Sequence, residues 1–370
     1  MTFTAGCTAL TTKAGRVMTA GGLAADLRAL GEFREALDLD RDTYERLKEQ
    51  FGEDHPRTLA IANNLGVSLR LVGDCFAARK VDRETLDKRR LVLGPDHPYS
   101  LHSATGLARD MREAGEFTES LQLLRATYDR YRALLGDDVM ATLRTAKSLA
   151  VSLRKSGAQV EARQLTEETY ERYLLRYGRE NPDALSCALN LACDYSALED
   201  KEHASELVSA VRATYRNTLG EEHPYTLIAA NNLVTYLRET DTPERALELG
   251  EETLARMRAR LGIDHPYTLS CAINLANCLQ DAGRGGQALA LLRETETLLA
   301  EKLGDSHPDT LVCRGNLAII LRESGEETEA ERLRDLALTD FGRRLGSDHP
   351  DTRRLRGWRV SNRDLEPQPT

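Results

Sequence analysis

The chain has 370 residues, with 50 Lys and Arg against 59 Asp and Glu and a formal net charge of -9. That acidic balance argues against nucleic-acid or anionic-membrane recognition through net charge, and no apolar run approaches the roughly 20 residues of a membrane span. Seven cysteines without a C-x-x-C pair suit neither a disulfide framework nor a zinc site, so a reduced, cytoplasmic setting is expected.

Residues 1–12 lack periodicity and read as a flexible arm. From Lys13 onward one phrase organises the chain. Its His-Pro pair stands at His55-Pro56, His97-Pro98, His223-Pro224, His265-Pro266, His307-Pro308 and His349-Pro350, all in a 42-residue register. Asn181-Pro182 and Val139-Met140 fill the two missing places. A fixed period of this length signals a solenoid whose units bury their apolar faces against neighbours. The expectation is one elongated all-α domain over 13–358: eight helix-turn-helix repeats starting near 13, 55, 97, 139, 181, 223, 265 and 307, then a partial capping repeat. Residues 359–370, polar and aperiodic, read as a disordered tail.

Within a repeat, the first helix opens at the proline, with the preceding Asp (Asp54, Asp96, Asp264, Asp348) expected to cap it. It ends at a glycine such as Gly73, Gly115 or Gly157; Glu199 and Asp241 stand there in two repeats and predict less sharply defined turns. The second helix stops at Gly94 and its equivalents. Leu59, Ala62, Leu65, Gly66 and Leu69 follow helical spacing and form the buried face. Cys187, Cys271 and Cys313 share one repeat position, which suits packing and not reactivity.

The small residues, Leu and Gly at these offsets resemble tetratricopeptide repeats, and the 42-residue length with Gly-x-Asp-His-Pro and Asn-Asn-Leu segments looks like the kinesin light chain subtype. More narrowly, Ala20 to Arg28 and Ala62 to Arg70 are similar to the repeat region of actinobacterial proteins of the FxSxx-COOH peptide-modification system, where such repeats follow a nucleotide-binding (NB-ARC) module of the signal-transducing ATPase kind. No G-x-x-x-x-G-K-[ST] segment occurs here, so ATP hydrolysis is not carried over. The resemblance implies a right-handed superhelix with a peptide-holding concave face.

Six histidines recur once per repeat, too far apart for one ion, and no Cys, Ser or Thr has a motif supplying a base. No enzymatic activity, cofactor or metal is therefore expected. Two columns on the first helices are candidate ligand contacts. Arg28, Arg70, Arg112, Arg154, Arg238 and Arg322 line one flank, close to Asn63 and its equivalent Asn231. Asn64, Asn190, Asn232, Asn274 and Asn316 lie nearly opposite the core and offer donor and acceptor to an extended backbone. The competing structural roles are an ionic ladder with Glu113, Glu239, Asp281 and Glu323, and inter-repeat hydrogen bonding by the asparagines. The functional expectation is a non-catalytic scaffold that recognises an extended peptide or protein segment with acidic side chains or a free C-terminus, serving as the sensor of a bacterial signalling or peptide-modification system. The alternative is a self-assembling architectural module with empty grooves.

Overall fold

The structure is a computed structural model describing residues 13–239 and 243–369, with side chains from Ala20 onward. The expected arm and Asp241 lie outside the described residues. The chain divides into two compact units; one boundary falls between Asp137 and Asp138, where Val139-Met140 replaces His-Pro, and the other between Pro367 and Gln368, which groups with the first unit. Among the described residues every regular element is an α-helix.

The first unit holds α1 (Lys13–Ala29), α2 (Phe33–Phe51), α3 (Pro56–Leu71), α4 (Cys75–Leu93), α5 (Pro98–Glu113) and α6 (Phe117–Leu135). The second begins with α7 (Met140–Lys155), α8 (Gln159–Tyr177), α9 (Pro182–Ala197), α10 (Lys201–Leu219), α11 (Pro224–Arg238) and α12 (Pro243–Leu261). It continues through α13 (Pro266–Asp281), α14 (Gly285–Leu303), α15 (Pro308–Glu323), α16 (Glu327–Arg344) and the short α17 (Pro350–Arg356). Within each unit a helix packs mainly on its sequence neighbours, the pattern of a solenoid.

The His-Pro phrase starts a helix in a way the sequence reading missed. The cap is the histidine itself, not the aspartate before it: Nδ1 of His55 accepts the Arg57 N–H at 3.2 Å, and His97, His223, His265, His307 and His349 repeat this bond. An imidazole two residues from the N–H it caps replaces the usual short oxygen side chain, and proline follows where its missing N–H costs nothing. Asn181 caps α9 through its side-chain oxygen, whereas Val139 offers none. At the other end Glu199 takes a left-handed φ of 66°, the conformation that Gly73 and Gly157 adopt at 81° and 89°, so the turn keeps its form without glycine.

Leu59, Ala62, Leu65 and Leu69 are buried in α3, as Leu227, Ala230, Leu233 and Val234 are in α11. Cys187, Cys271 and Cys313 are wholly enclosed between helices. In the second unit α17 reaches back to the turns of the first two helix pairs. His349 Nε2 lies 3.0 Å from the Lys155 carbonyl oxygen, the Pro350 ring abuts Gly157, and Arg354 pairs with Glu199 at 2.6 Å. That contact closes the inner face of the unit around residues 359–367.

Candidate peptide groove

The segment expected to be disordered is held in the second unit by hydrogen bonds. The chain leaves α17 at Trp358, whose φ of 54° turns it sharply, and the indole is clasped by the Arg322 and Arg334 guanidinium groups 4.5 and 4.6 Å from its centre. It then runs without helix across the first helices of successive repeats.

Three asparagines grip it with one geometry. Asn316 Nδ2 donates to the Ser361 carbonyl at 2.9 Å while its Oδ1 accepts the Ser361 N–H at 3.0 Å. Asn274 does the same to Arg363 at 2.9 and 2.8 Å, and Asn232 to Leu365 at 2.9 and 2.9 Å. Alternate residues of an extended chain point their backbone groups the same way, about 6.6 Å apart. One step of 42 residues along the repeats therefore matches one two-residue step of the segment, which runs opposite to the repeat order. A carboxamide is the side chain that can both donate to C=O and accept from N–H of one residue.

Neighbouring amides hold the ladder in place. Asn231 Nδ2 donates to the Arg363 carbonyl at 3.1 Å, and its Oδ1 accepts from Asn274. Asn277 donates to the Ser361 carbonyl at 3.3 Å and to Asn362 Oδ1 at 3.0 Å, and its Oδ1 accepts from Asn316. Sequence reasoning missed Asn277. The available signal was an amide in a column otherwise held by Val67, Arg109, Val151, Cys193, Thr235 and Ile319.

Two side chains of the segment enter charged sockets. Arg363, buried, donates to Asp351 Oδ2 at 2.8 Å and lies 3.4 Å from Asp309. Burial opposes its charge, but Asp351 and Asp309 outweigh that and raise its pKa; burial likewise works against the Asp351 carboxylate, and Arg363 prevails to lower its pKa. Three residues on, the Glu366 carboxylate meets Arg154 and, at 3.6 Å, Lys155, while Tyr267 donates to the Glu366 carbonyl at 3.1 Å. Burial raises the pKa of Asp364 between them, against Lys201 and Arg154.

The remaining candidates divide. Asn190 is buried and its Oδ1 has no hydrogen-bond partner; the next residue in the two-residue register is Pro367, which has no N–H to give. In the first unit Asn63 Oδ1 sits 3.5 Å from both Arg89 and Ser103, joining neighbouring repeats, and Asn64 is half-buried. The arginine column is not a bare basic strip, because carboxylates of other helices meet it. Arg28 pairs with Asp40 at 2.6 Å, Arg154 with Asp194 at 2.6 Å and Arg238 with Asp281 at 2.8 Å. Arg112 lies 3.1 Å from Glu113, the ladder partner expected beside it, and Arg322 faces Trp358. Arg70 is wholly enclosed between Asp82 at 2.9 Å and Asp110 at 2.5 Å. Burial opposes its charge, yet Asp110 and Asp82 raise its pKa, while burial holds both aspartates above the usual carboxylate range. Among the described residues no group of three or more His, Cys, Asp or Glu could hold a metal ion, and no helix is long and apolar enough to cross a membrane.

Paired helices in a 42-residue register, with a ladder of amides on the first helix of each pair, define a repeat scaffold built to touch an extended chain. Tetratricopeptide repeat models match residues 16–87, 58–133, 232–301 and 268–339, and a second such model matches 184–225. More than half of the chain is covered, and it belongs to the tetratricopeptide repeat family. No curated protein shows a significant sequence match. Among solved structures the chain is similar to kinesin light chain TPR-like repeats from Podosopora anserina, at 27% identity over 55% of this chain and 97% of that one, with a TM-score of 0.43. Apo RapI matches at 12% identity over 78% and 98% of the two chains with a TM-score of 0.54. A Rap protein complexed with Competence and Sporulation Factor matches at 12% over 84% and 99% with a TM-score of 0.50. These likenesses concern the fold.

Proposed function

We propose that the second unit is a non-catalytic recognition module whose asparagine ladder binds an extended peptide or partner segment through its backbone. The observation that carries this is the paired bonding of Asn232, Asn274 and Asn316 to alternate residues of one extended segment. Buried amides cost free energy unless satisfied, so three of them at one repeat position suit a surface that is filled by a chain. The contact between Arg154 and Glu366 supports an acidic side chain in the ligand, which is the part of the acidic-peptide expectation that this geometry favours. The role fits the sensor of a bacterial signalling or peptide-modification system, as the FxSxx-COOH resemblance implies, in a reduced cytoplasmic setting.

The test uses a labelled peptide of residues 359–369 with both ends capped, and a chain ending at Arg359. Fluorescence anisotropy is expected to show binding at micromolar peptide, lost on combining Asn232→Ala, Asn274→Ala and Asn316→Ala. Binding unchanged by the triple substitution would refute the backbone-reading groove. Equal binding of the capped peptide and one with a free carboxylate would remove the free C-terminus from the ligand description.

A further inference from the structure

The asparagine ladder reads only N–H and C=O groups, which every sequence carries, so it supplies affinity without selectivity. Selectivity has to come from the sockets that receive side chains. Two of these are charged and of opposite sign, with their ligands three residues apart: Asp351 and Asp309 around Arg363, and Arg154 with Lys155 around Glu366. An amide ladder could accept a chain in either direction. A negative socket at one end and a positive one at the other admit a charged segment one way round, because reversal would set like charges together.

The same contacts mean that the groove is filled. Ser361, Arg363, Leu365 and Glu366 are buried in it, and Trp358, clasped by Arg322 and Arg334, anchors the entry. Building on the groove reading above, we propose that residues 361–366 are a resident pseudo-ligand, and that the partner displacing them presents an extended Arg-x-x-Glu segment running opposite to the repeats. A tethered segment competes at an effective concentration of about millimolar. Against a peptide of about 10 μM affinity, that occlusion weakens apparent binding roughly 100-fold.

The experiment compares three proteins: the full chain, the full chain carrying Arg363→Glu with Glu366→Arg, and the chain ending at Arg359. Each is titrated with the capped 359–369 peptide and with a version bearing the same two charge exchanges, after circular dichroism has established helical content. The full chain is expected to bind the unaltered peptide about 100-fold more weakly than the chain ending at Arg359 and about 25-fold more weakly than the doubly substituted chain, whose weakened segment still fills the groove in part. The opened proteins should bind the charge-exchanged peptide at least about 30-fold more weakly than the unaltered one, since both sockets then face like charges. Equal affinity of full and opened chains would overturn the occlusion, and equal affinity for the two peptides would overturn the Arg-x-x-Glu register while leaving the ladder standing. If helical opened proteins bind neither peptide, the groove reading itself falls. Doubling of the full chain's mass in light scattering, with segments exchanged between copies, would overturn the same-chain assignment. The doubly substituted full chain keeps the test decisive if truncation impairs folding.

Discussion

Arg70 offers the sharpest test of whether the arginine column holds the repeats together or waits for a ligand. Its side chain is 1% exposed, between Asp82 at 2% and Asp110 at 0%. Arg70→Met keeps most of the volume and removes the cation that bonds both carboxylates. Asp110 would then have to stay buried as an anion or bind a proton. Carrying a carboxyl neutral at pH 7, about 3 units above its unfolded pKa, costs about 4 kcal/mol, similar to the 3–5 kcal/mol typical of breaking a buried pair. The sign follows from linkage. A carboxyl with a raised folded pKa holds a proton that the unfolded chain has released, so stability falls as pH rises from about 4 through the folded pKa. Because burial already raises the Asp110 pKa with Arg70 in place, the penalty for Arg70→Met should be at most about 4 kcal/mol at pH 7 and at most about 1.5 kcal/mol at pH 5, larger at pH 7 in either case. Urea unfolding followed by circular dichroism at both pH values measures it, with hydrogen exchange placing the loss in α3 to α5. A loss equal at pH 5 and pH 7 would refute the neutralised buried carboxyl; no loss at all would return Arg70 to the ligand-binding column.

Gly66→Ala would drive a Cβ into the Asp82 carboxylate, which Arg70 pins, so a loss of about 1–3 kcal/mol is expected in the same urea assay. The Cys187 thiol, buried and pushed up to about 12, should resist iodoacetamide at pH 8 in the folded chain and react once urea unfolds it, as mass spectrometry of the peptides would report. Pro367→Ala supplies the N–H missing opposite Asn190; hydrogen exchange should find the new amide at 367 protected, and rapid exchange there would break the extrapolated fourth rung.

Much of the architecture is written locally. Pro56 and its equivalents open helices because proline is harmless in the first turn, and Gly73 or Gly157 close them because a left-handed residue fits there. Leu59 to Leu69 show their buried face through 3.6-residue periodicity alone. These are interactions over a few residues, so the 42-residue register reveals them. The identity of the capping atom was less legible, since it depends on how an imidazole folds back two residues.

The columns were visible, but their partners were not. Arg70 meets Asp82 from the next helix and Asp110 from the next repeat, and nothing along the chain announces which carboxylate crosses the gap. That requires the packing of helices, including the room left at Gly66 and Gly106 for the Asp82 carboxylate. Asn232, Asn274 and Asn316 could be named from sequence as backbone readers, while the backbone they read could not. Residues 359–369 are polar and aperiodic, which locally resembles disorder, because their order is supplied by amides 42 residues apart on separate helices. Local residue chemistry sets the helices, their period and the amides that face outward; what fills the groove follows from packing alone, because its segment has no folding signal of its own and gains one when the repeats align donors and acceptors at the spacing of an extended chain.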